Sequence, residues 1–581
     1  MKSNPEQVVP PMPQGVILNA YPDSVGRRLS DFIQILRKPE FESVFSMFYI
    51  LPTIFNSDLD RGFSVIDYNL NQELVTPQDL ADLKTLGLDL KLDIVLNHLS
   101  VASPQFKDLL AKGEESVYKD FFLDWNAFWE EHGEMGSDGI VIPEAAYLKQ
   151  LFMRKPGFPV LKLSFPDGKE KVYWNTFYQK ITHTPIEVAD LEGLELTPAQ
   201  AESIVKKVNV APEQEESISS IALGLSAELT TEVEKIVHQK ATYLGQMDVN
   251  AASPLVWEFY EDTLAKLSAY GCRLLRLDAF AYLHKEVGQS NFFNSPGTWV
   301  YLERIREIAN RNQMAILPEI HAEYGAHLHT AIAAKGHALY DFFLPGLVLH
   351  TLEESDHSAL VGWVNEIQEK AYKTVNMLGC HDGIPVLDLN SKQHESAYKP
   401  GLLSADQIDA IMTKVLERGG VMKNIYDADG KKLSYYQINA TFFSALGEDE
   451  SKMLLARAIQ VFMPGTPQVW YLDLFMGTND YAAVKRAGSG GHKEINRSNL
   501  SSDQVDELLQ SRGVQQQLAL LKLRNTHSAF QGALNIQPTP KHQLRWEWKN
   551  ADSFATLEAD LTTAHFKVRF GDNATVEVLT V

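Results

Sequence analysis

Two cysteines among 581 residues, Cys272 and Cys380, are too few and too far apart for a disulfide framework or a thiolate metal site. No apolar run approaches the length of a membrane span. The opening MKSNPEQVVPPMPQ is polar and proline-containing, without the apolar stretch of a signal peptide, so a reduced cytoplasmic location is expected. Positive charge is also scarce: 53 Lys and Arg face 75 Asp and Glu, a formal net charge of −22. That balance argues against nucleic acid or an anionic membrane as partner, and it requires local basic residues wherever phosphate is to bind. No GxGxxG follows the first predicted strand, which removes the dinucleotide-binding signature. What remains, 45% apolar and 22% charged residues, is normal for a soluble protein with a large core.

Four apolar runs end in a carboxylate or histidine: LKLDIVLNH (90–98), CRLLRLDAFAY (272–282), AILPEIH (315–321) and NMLGCHDGIP (376–385). A buried strand stays apolar until it leaves the core, so charge at its C-terminal end marks the mouth of a sheet or barrel. Further strand candidates lie at 15–21, 44–52, 337–345 and 466–473, making eight, with helical patterns such as 254–271 and 452–465 between them. The pattern predicts an α/β fold: a (β/α)8 TIM barrel with large loop insertions. The tail from about 528 alternates apolar and polar residues with turns between, so a small C-terminal antiparallel β domain is expected over 528–581.

Uneven spacing divides the chain: a flexible lead-in at 1–14, barrel at 15–98, an inserted loop domain at 99–178, a further mainly helical insertion at 179–245, barrel at 246–382, a second loop domain at 383–451, and the end of the barrel at 452–527. Thr197-Pro198-Ala199-Gln200 is a capping box that starts one helix of the 179–245 insertion. A solvated helical hairpin is the preferred reading of that segment over a lid that touches substrate.

Arg276 and Asp278 lie two apart on one strand, so both leave the same face at the barrel mouth. A guanidinium beside Asp278 favours its ionised form. Glu319 ends the next strand. Two carboxylates on neighbouring strand ends, one paired with arginine, fit a nucleophile and a general acid/base. Either alone is commonly a structural ion pair; together with His381, Asp382, Asp93, Asn97 and His98 at equivalent strand ends, they point to one site.

The segments RLDAFAY, LPEIH, CHDGIP and DIVLNH resemble the four signature segments of the α-amylase superfamily, glycoside hydrolase family 13. DRGFSVIDY (60–68), YQINATFFSALG (436–447) and EINR (494–497) narrow the resemblance to the sucrose phosphorylase branch. The resemblance implies a glycosyltransferase of the disaccharide phosphorylase type, with Asp278 as the nucleophile that forms a β-glucosyl ester. Glu319 would be the general acid and base, and Asp382 the stabiliser of the transition state. Asp60 and Arg497 would grip the far hydroxyls of the glucosyl ring; Phe63 and Phe177 would stack on it, with His98, His381 and Arg276 beside them. Gln246 matches a glutamine that follows the second aromatic, here displaced by the insertion. Arg154 and Lys155 fall where the family places phosphate-site basic residues, and Tyr282, His321, Tyr436 and Gln437 match the acceptor pocket.

The physical chemistry agrees with a retaining double displacement, which needs its two carboxylates roughly 5–5.5 Å apart. Asp278 and Asp382 are expected to raise the pKa of Glu319 and keep it protonated. Sucrose is the first substrate expected, with inorganic phosphate as acceptor. Sucrose 6-phosphate, glucosylglycerol and glucosylglycerate are alternatives, as is a hydrolase or transglucosylase on the same site. Ser434 stands where the branch usually carries an aspartate that contacts fructose, and CHDGIP, with Cys380 for a common threonine, is closer to the sucrose 6-phosphate phosphorylases. After Arg497 the chain reads SNL in place of an aromatic HYY. The chemistry requires no cofactor, no calcium-type oxygen cluster is visible, and no metal is expected. Monomer and homodimer both stay open.

Overall fold

A computed structural model describes residues 10–154, 157–165, 167–177, 179–210, 221–394, 397–426, 432–488, 491–572 and 575–580. Eight parallel strands form one sheet: β1 (Ile17–Ala20), β2 (Met47–Ile50), β3 (Asp89–Val95), β4 (Cys272–Asp278), β5 (Ala315–Pro318), β6 (Leu339–Asp341), β7 (Thr374–Met377) and β8 (Thr466–Trp470). Their order is 5-4-3-2-1-8-7-6, and the two ends of that row, β5 and β6, lie against each other. This is the eight-stranded barrel expected, and all eight strands overlap the eight predicted segments, β3 and β7 starting one and two residues ahead of theirs. Burial explains the pattern: β1, β2, β5, β6 and β7 are buried at every position, so each reads as an apolar run with few polar exceptions.

Helices follow the strands: α1 (Leu29–Leu36), α2 (Pro77–Thr85), α3 (Pro254–Ala269), α4 (Gly297–Arg311), α5 (Leu328–Ala334), α6 (Ser358–Lys370), α7 (Glu450–Phe462) and α8 (Arg512–Thr526). α2 starts at a capping box in which Thr76 and Asp79 each accept the other's backbone N–H. After α3 the chain reverses at Gly271, whose φ of +99° suits glycine. Of the lead-in, residues 1–9 lie outside the described residues; the carbonyls of Pro13 and Gln14 accept bonds from Thr466 and Ser46.

Residues between β3 and α3 form two modules. One packs Trp125, Trp129 and Trp174 around Val141 and Val172. In the other, strands Gln179–His183 and Ala241–Asp248 pair antiparallel and carry helices Pro198–Val210 and Ala227–Gln239 at their far end. The helical part has its own small core of Ile186, Leu191, Ala201, Ile204, Val208, Leu223, Val233 and Val237. Thr197 and Gln200 form the capping box that starts its first helix. It is thus a helical knob on a two-stranded stalk. At the C-terminus, five antiparallel strands from Ala533 to Thr580 pack on α7, with Trp548 donating to the Phe462 carbonyl at 2.9 Å. Among the described residues no helix is long and apolar enough to cross a membrane.

His183 and Ala241 are direct partners across the stalk, and the knob beyond them keeps its apolar residues to itself. Replacing residues 184–240 by an Asn-Gly turn is therefore expected to leave the barrel folded. Glucosyl-transfer rates should stay within about threefold of the parent, measured beside the melting temperature.

Candidate active site

The C-terminal ends of the strands open into a cleft of about 700 Å³. Its wall includes Asp60, Phe63, His98, Arg154, Phe177, Gln246, Asp278, Tyr282, Glu319, His321, His381, Asp382 and Arg497. Asp278 is the last residue of β4, and Ala279 turns the chain with a φ of 53° straight after it. Glu319 follows β5, its N–H donating to the Leu277 carbonyl at 3.3 Å, which ties the two strand ends together. The side chains of Asp278, Glu319 and Asp382 are 14%, 12% and 18% exposed, so all three reach the cleft from a buried base.

Arg276 organises this base. One of its amino groups contacts Asp93 at 2.5 Å and Asp278 at 3.0 Å; the other contacts Glu319 at 2.5 Å. Asp278 and Glu319 both line this cleft and both contact the same guanidinium, so the two carboxyls open on a single crevice. Burial and the charge of Glu319 push Asp278 well above the usual carboxylate range, against the pull of Arg276. Burial raises Glu319 too, but Arg276 and His321 outweigh it and hold that carboxyl far below its ordinary value. The shift on Glu319 is thus opposite in direction to the one expected. The guanidinium and the imidazole both reach Glu319, whereas Asp278 shares its arginine contact with Asp93.

The other walls follow from the same strand ends. Burial raises Asp382, yet Lys493 at 2.7 Å, His381 and Arg497 draw it well below its ordinary range. Phe63 stacks on His381 with ring centroids 4.9 Å apart and planes 14° from parallel. Phe177 leans on His98 at 4.8 Å. Burial depresses His98 to about 4, leaving a neutral ring whose Nε2 meets the Phe63 carbonyl at 3.1 Å. Asp60 and Arg61 both have positive φ and are followed by Gly62, where a β-carbon would overlap the Thr53 backbone nitrogen. That tight left-handed turn presents Asp60 to the cleft. Gln246 reaches the wall despite the insertion because its strand pairs with His98–Ser100, Gln246 opposite Ser100.

On the outer side Arg154 donates to the Tyr282 hydroxyl at 2.9 Å and lies 5.0 Å from the Phe177 ring centroid. Lys155 lies outside the described residues, as do the side chains of Ser434 and Tyr436. Gln437 is 2% exposed, bonds Asn439 at 3.3 Å and is not part of the cleft wall. Three groups escaped the sequence reading. Lys493 precedes the EINR segment and bridges Asp382 to Asp60 at 2.7 and 3.7 Å. Asp388 holds His321 from behind at 3.3 Å. Asp248 and Lys285 form a buried ion pair at 2.8 Å that also bonds Thr176, next to Phe177. The position of Asp248, two residues after Gln246 on one strand, was the available signal for the last. Among the described residues no cluster of three or more His, Cys, Asp or Glu could hold a metal ion.

No protein-family model matches the chain. A sucrose 6(F)-phosphate phosphorylase of Ilumatobacter coccineus is 48% identical over 568 residues, covering 98% of both chains. A sucrose 6(F)-phosphate phosphorylase of Thermoanaerobacterium thermosaccharolyticum is 30% identical over 554 residues, 94% of this chain and 95% of that one. The chain belongs to the sucrose phosphorylase branch of the α-amylase superfamily, glycoside hydrolase family 13. A crystal structure of sucrose 6F-phosphate phosphorylase from Thermoanaerobacter thermosaccharolyticum superposes with a TM-score of 0.78 at 29% identity, over 98% of both chains. Like other members of this branch, the protein is an enzyme of the sucrose-phosphorylase type, a glycosyltransferase.

His321 supplies a pH signature of the site. Burial lowers its pKa, but Asp388 and Glu319 more than offset this and lift it from 6.5 to about 9. A raised folded-state value means stability that is fully present below pH ~6.5 and lost as pH climbs through ~9. The loss should be of the order of 3 kcal/mol. Asp388→Asn is expected to remove most of this decline, read from melting temperatures between pH 6 and 10.

Proposed function

We propose that the protein is a retaining phosphorylase of sucrose 6F-phosphate, which passes the glucosyl group to inorganic phosphate and releases fructose 6-phosphate and α-glucose 1-phosphate. The observation that carries the reaction type is the Asp278–Glu319 pair facing across one cleft with Arg276 beneath both. In the first step a carboxylate oxygen of Asp278 attacks C1 of the glucosyl unit. The C1–O bond to fructose breaks, and Glu319 delivers a proton to the departing oxygen. In the second step a phosphate oxygen attacks C1 from the opposite face, the ester to Asp278 breaks, and Glu319 takes the proton from phosphate. Two inversions give net retention.

The mechanism needs Asp278 ionised and Glu319 protonated. A glycosidic oxygen bound beside Glu319 gives its proton an acceptor, while Arg276 stabilises the Asp278 carboxylate. Asp382 lines the same cleft, and its cationic neighbours keep it anionic against burial, which suits the positive charge that develops on the ring.

The choice of leaving group rests on the relatives named for sucrose 6(F)-phosphate and on charge at the acceptor side. Arg154 and a cationic His321 line the cleft there, and Ser434 replaces the family's usual aspartate, whose charge would repel a phosphate ester. Sucrose, the substrate first expected, is the second reading, favoured by relatives named sucrose phosphorylase.

The deciding experiment supplies phosphate with sucrose 6F-phosphate, sucrose, glucosylglycerol or glucosylglycerate and measures glucose 1-phosphate. Sucrose 6F-phosphate should give the highest kcat/KM; a higher value for sucrose would restore the second reading, and sugar release without phosphate would make the enzyme a hydrolase. Arg154→Ala should raise KM for sucrose 6F-phosphate by about tenfold or more, as expected for a lost charge-assisted hydrogen bond. Asp278→Asn should abolish transfer, whereas Glu319→Gln should lose ~10²–10⁴-fold on the natural substrate and far less on donors with good leaving groups.

A further inference from the structure

The inside of a (β/α)8 barrel is ordinarily filled by layers of branched apolar side chains. Here β3 places a lysine in that interior. Lys91 is fully buried, two residues before Asp93 on the same strand, so both point inward. Register puts Tyr49 of β2 opposite Lys91, and Arg276 of β4 opposite Asp93. The ammonium lies 4.0 Å from the Tyr49 ring centroid and 4.5 Å from that of Tyr340, and donates to Gln468 Oε1 at 2.5 Å. Gln468 in turn donates to the Tyr340 hydroxyl at 2.6 Å, and the Tyr49 hydroxyl donates to Asp93 at 3.0 Å. Among the described residues every group touching the nitrogen thus offers electron density, two ring faces and a carbonyl oxygen, which suits the cationic form. The titratable or charged groups facing it are Tyr49, Asp93, Arg276, Glu319, Tyr340 and Cys380. Burial and Arg276 pull its pKa well below the ordinary lysine value; Asp93, Glu319 and Cys380 oppose them, and the two ring faces and the Gln468 oxygen favour the charged form.

Above this layer stand three carboxyls, Asp93, Asp278 and Glu319, joined through one guanidinium. With Arg276 and Lys91 both charged, the buried column is neutral when the three carboxyls hold one proton among them. That is the number a nucleophile and acid pair requires. Without the lysine charge, neutrality requires a second proton, which would silence the nucleophile.

We propose that Lys91 is a positioning residue whose charge, set on the barrel axis beneath Arg276, limits Asp93, Asp278 and Glu319 to a single shared proton. It touches no substrate and acts through Arg276 and the carboxyls. The inference rests on the reading of Asp278 and Glu319 as the glucosyl-transfer pair.

The test compares the parent with Lys91→Met, of similar volume without charge, and Lys91→Arg, which keeps it; Lys91→Gln supplies the same comparison if the methionine variant does not fold. With α-glucosyl fluoride and phosphate, the acid limb of the kcat/KM profile should move up by about one pH unit in Lys91→Met. That is a tenfold loss at the acid end, recovered above neutral pH, with the limb unmoved in Lys91→Arg. Independently of turnover, the melting-temperature deficit of Lys91→Met should widen as pH rises from 5 to 8, because carboxyls held protonated in the fold cost stability as they approach ionisation. Superimposable pH profiles together with a deficit constant across pH would overturn the proposal and leave Lys91 a packing residue. If the parent itself leaves α-glucosyl fluoride untouched, the glucosyl-transfer reading falls, and the melting comparison alone decides the role of Lys91.

Discussion

One guanidinium holds the reactive end of this protein together. Arg276 is 1% exposed and touches Asp93, Asp278 and Glu319 at once. Three carboxyls in a barrel mouth would repel one another and draw protons; a single delocalised cation with two amino groups can serve all three. Because those carboxyls come from β3, β4 and β5, the same contacts lock three strand ends in register. A lysine at 276 would present one charged point and could not span them. The geometry of the site and the closure of that side of the barrel therefore depend on the same side chain.

Around that centre, the walls are assembled by contacts between distant parts of the chain. Phe63 and His381 stack across more than three hundred residues of sequence. Lys493 and Arg497, carried by the loop after β8, close on Asp382 from the loop after β7. The stalk of the helical knob returns Gln246 to the strand beside His98, so a long excursion leaves the local geometry intact. The knob keeps its own core, and among the described residues it adds no side chain to the cleft wall.

The two carboxyls show how far position and electrostatics are separate. Strand-end position picks both of them out, but how each is shifted depends on which of them the arginine and His321 reach. Both cations reach Glu319 and draw it below its ordinary range, while burial and that neighbouring charge push Asp278 up.

The barrel was legible because a parallel strand buried on both faces must be apolar along its length and can turn polar only at its exit. Eight runs of that kind, four with charge at the end, specify both the architecture and the face that carries chemistry. Asp278, Glu319 and Asp382 were readable for the same reason, and motif resemblance added Asp60, Phe63 and Arg497. Lys493, Asp388 and the Asp248–Lys285 pair were not, since each acquires its role from a partner that only folding brings near. Gln437 lay inside a matching motif, yet its side chain turns away from the cleft. Lys91 acquires its surroundings from the register, which sets rings on both sides of it. Sequence by itself determined which groups stand at strand ends, because burial dictates that pattern locally. Only the tertiary structure decided which charges share a neighbour, because the electrostatic energy of a buried group depends on distances that no local pattern encodes.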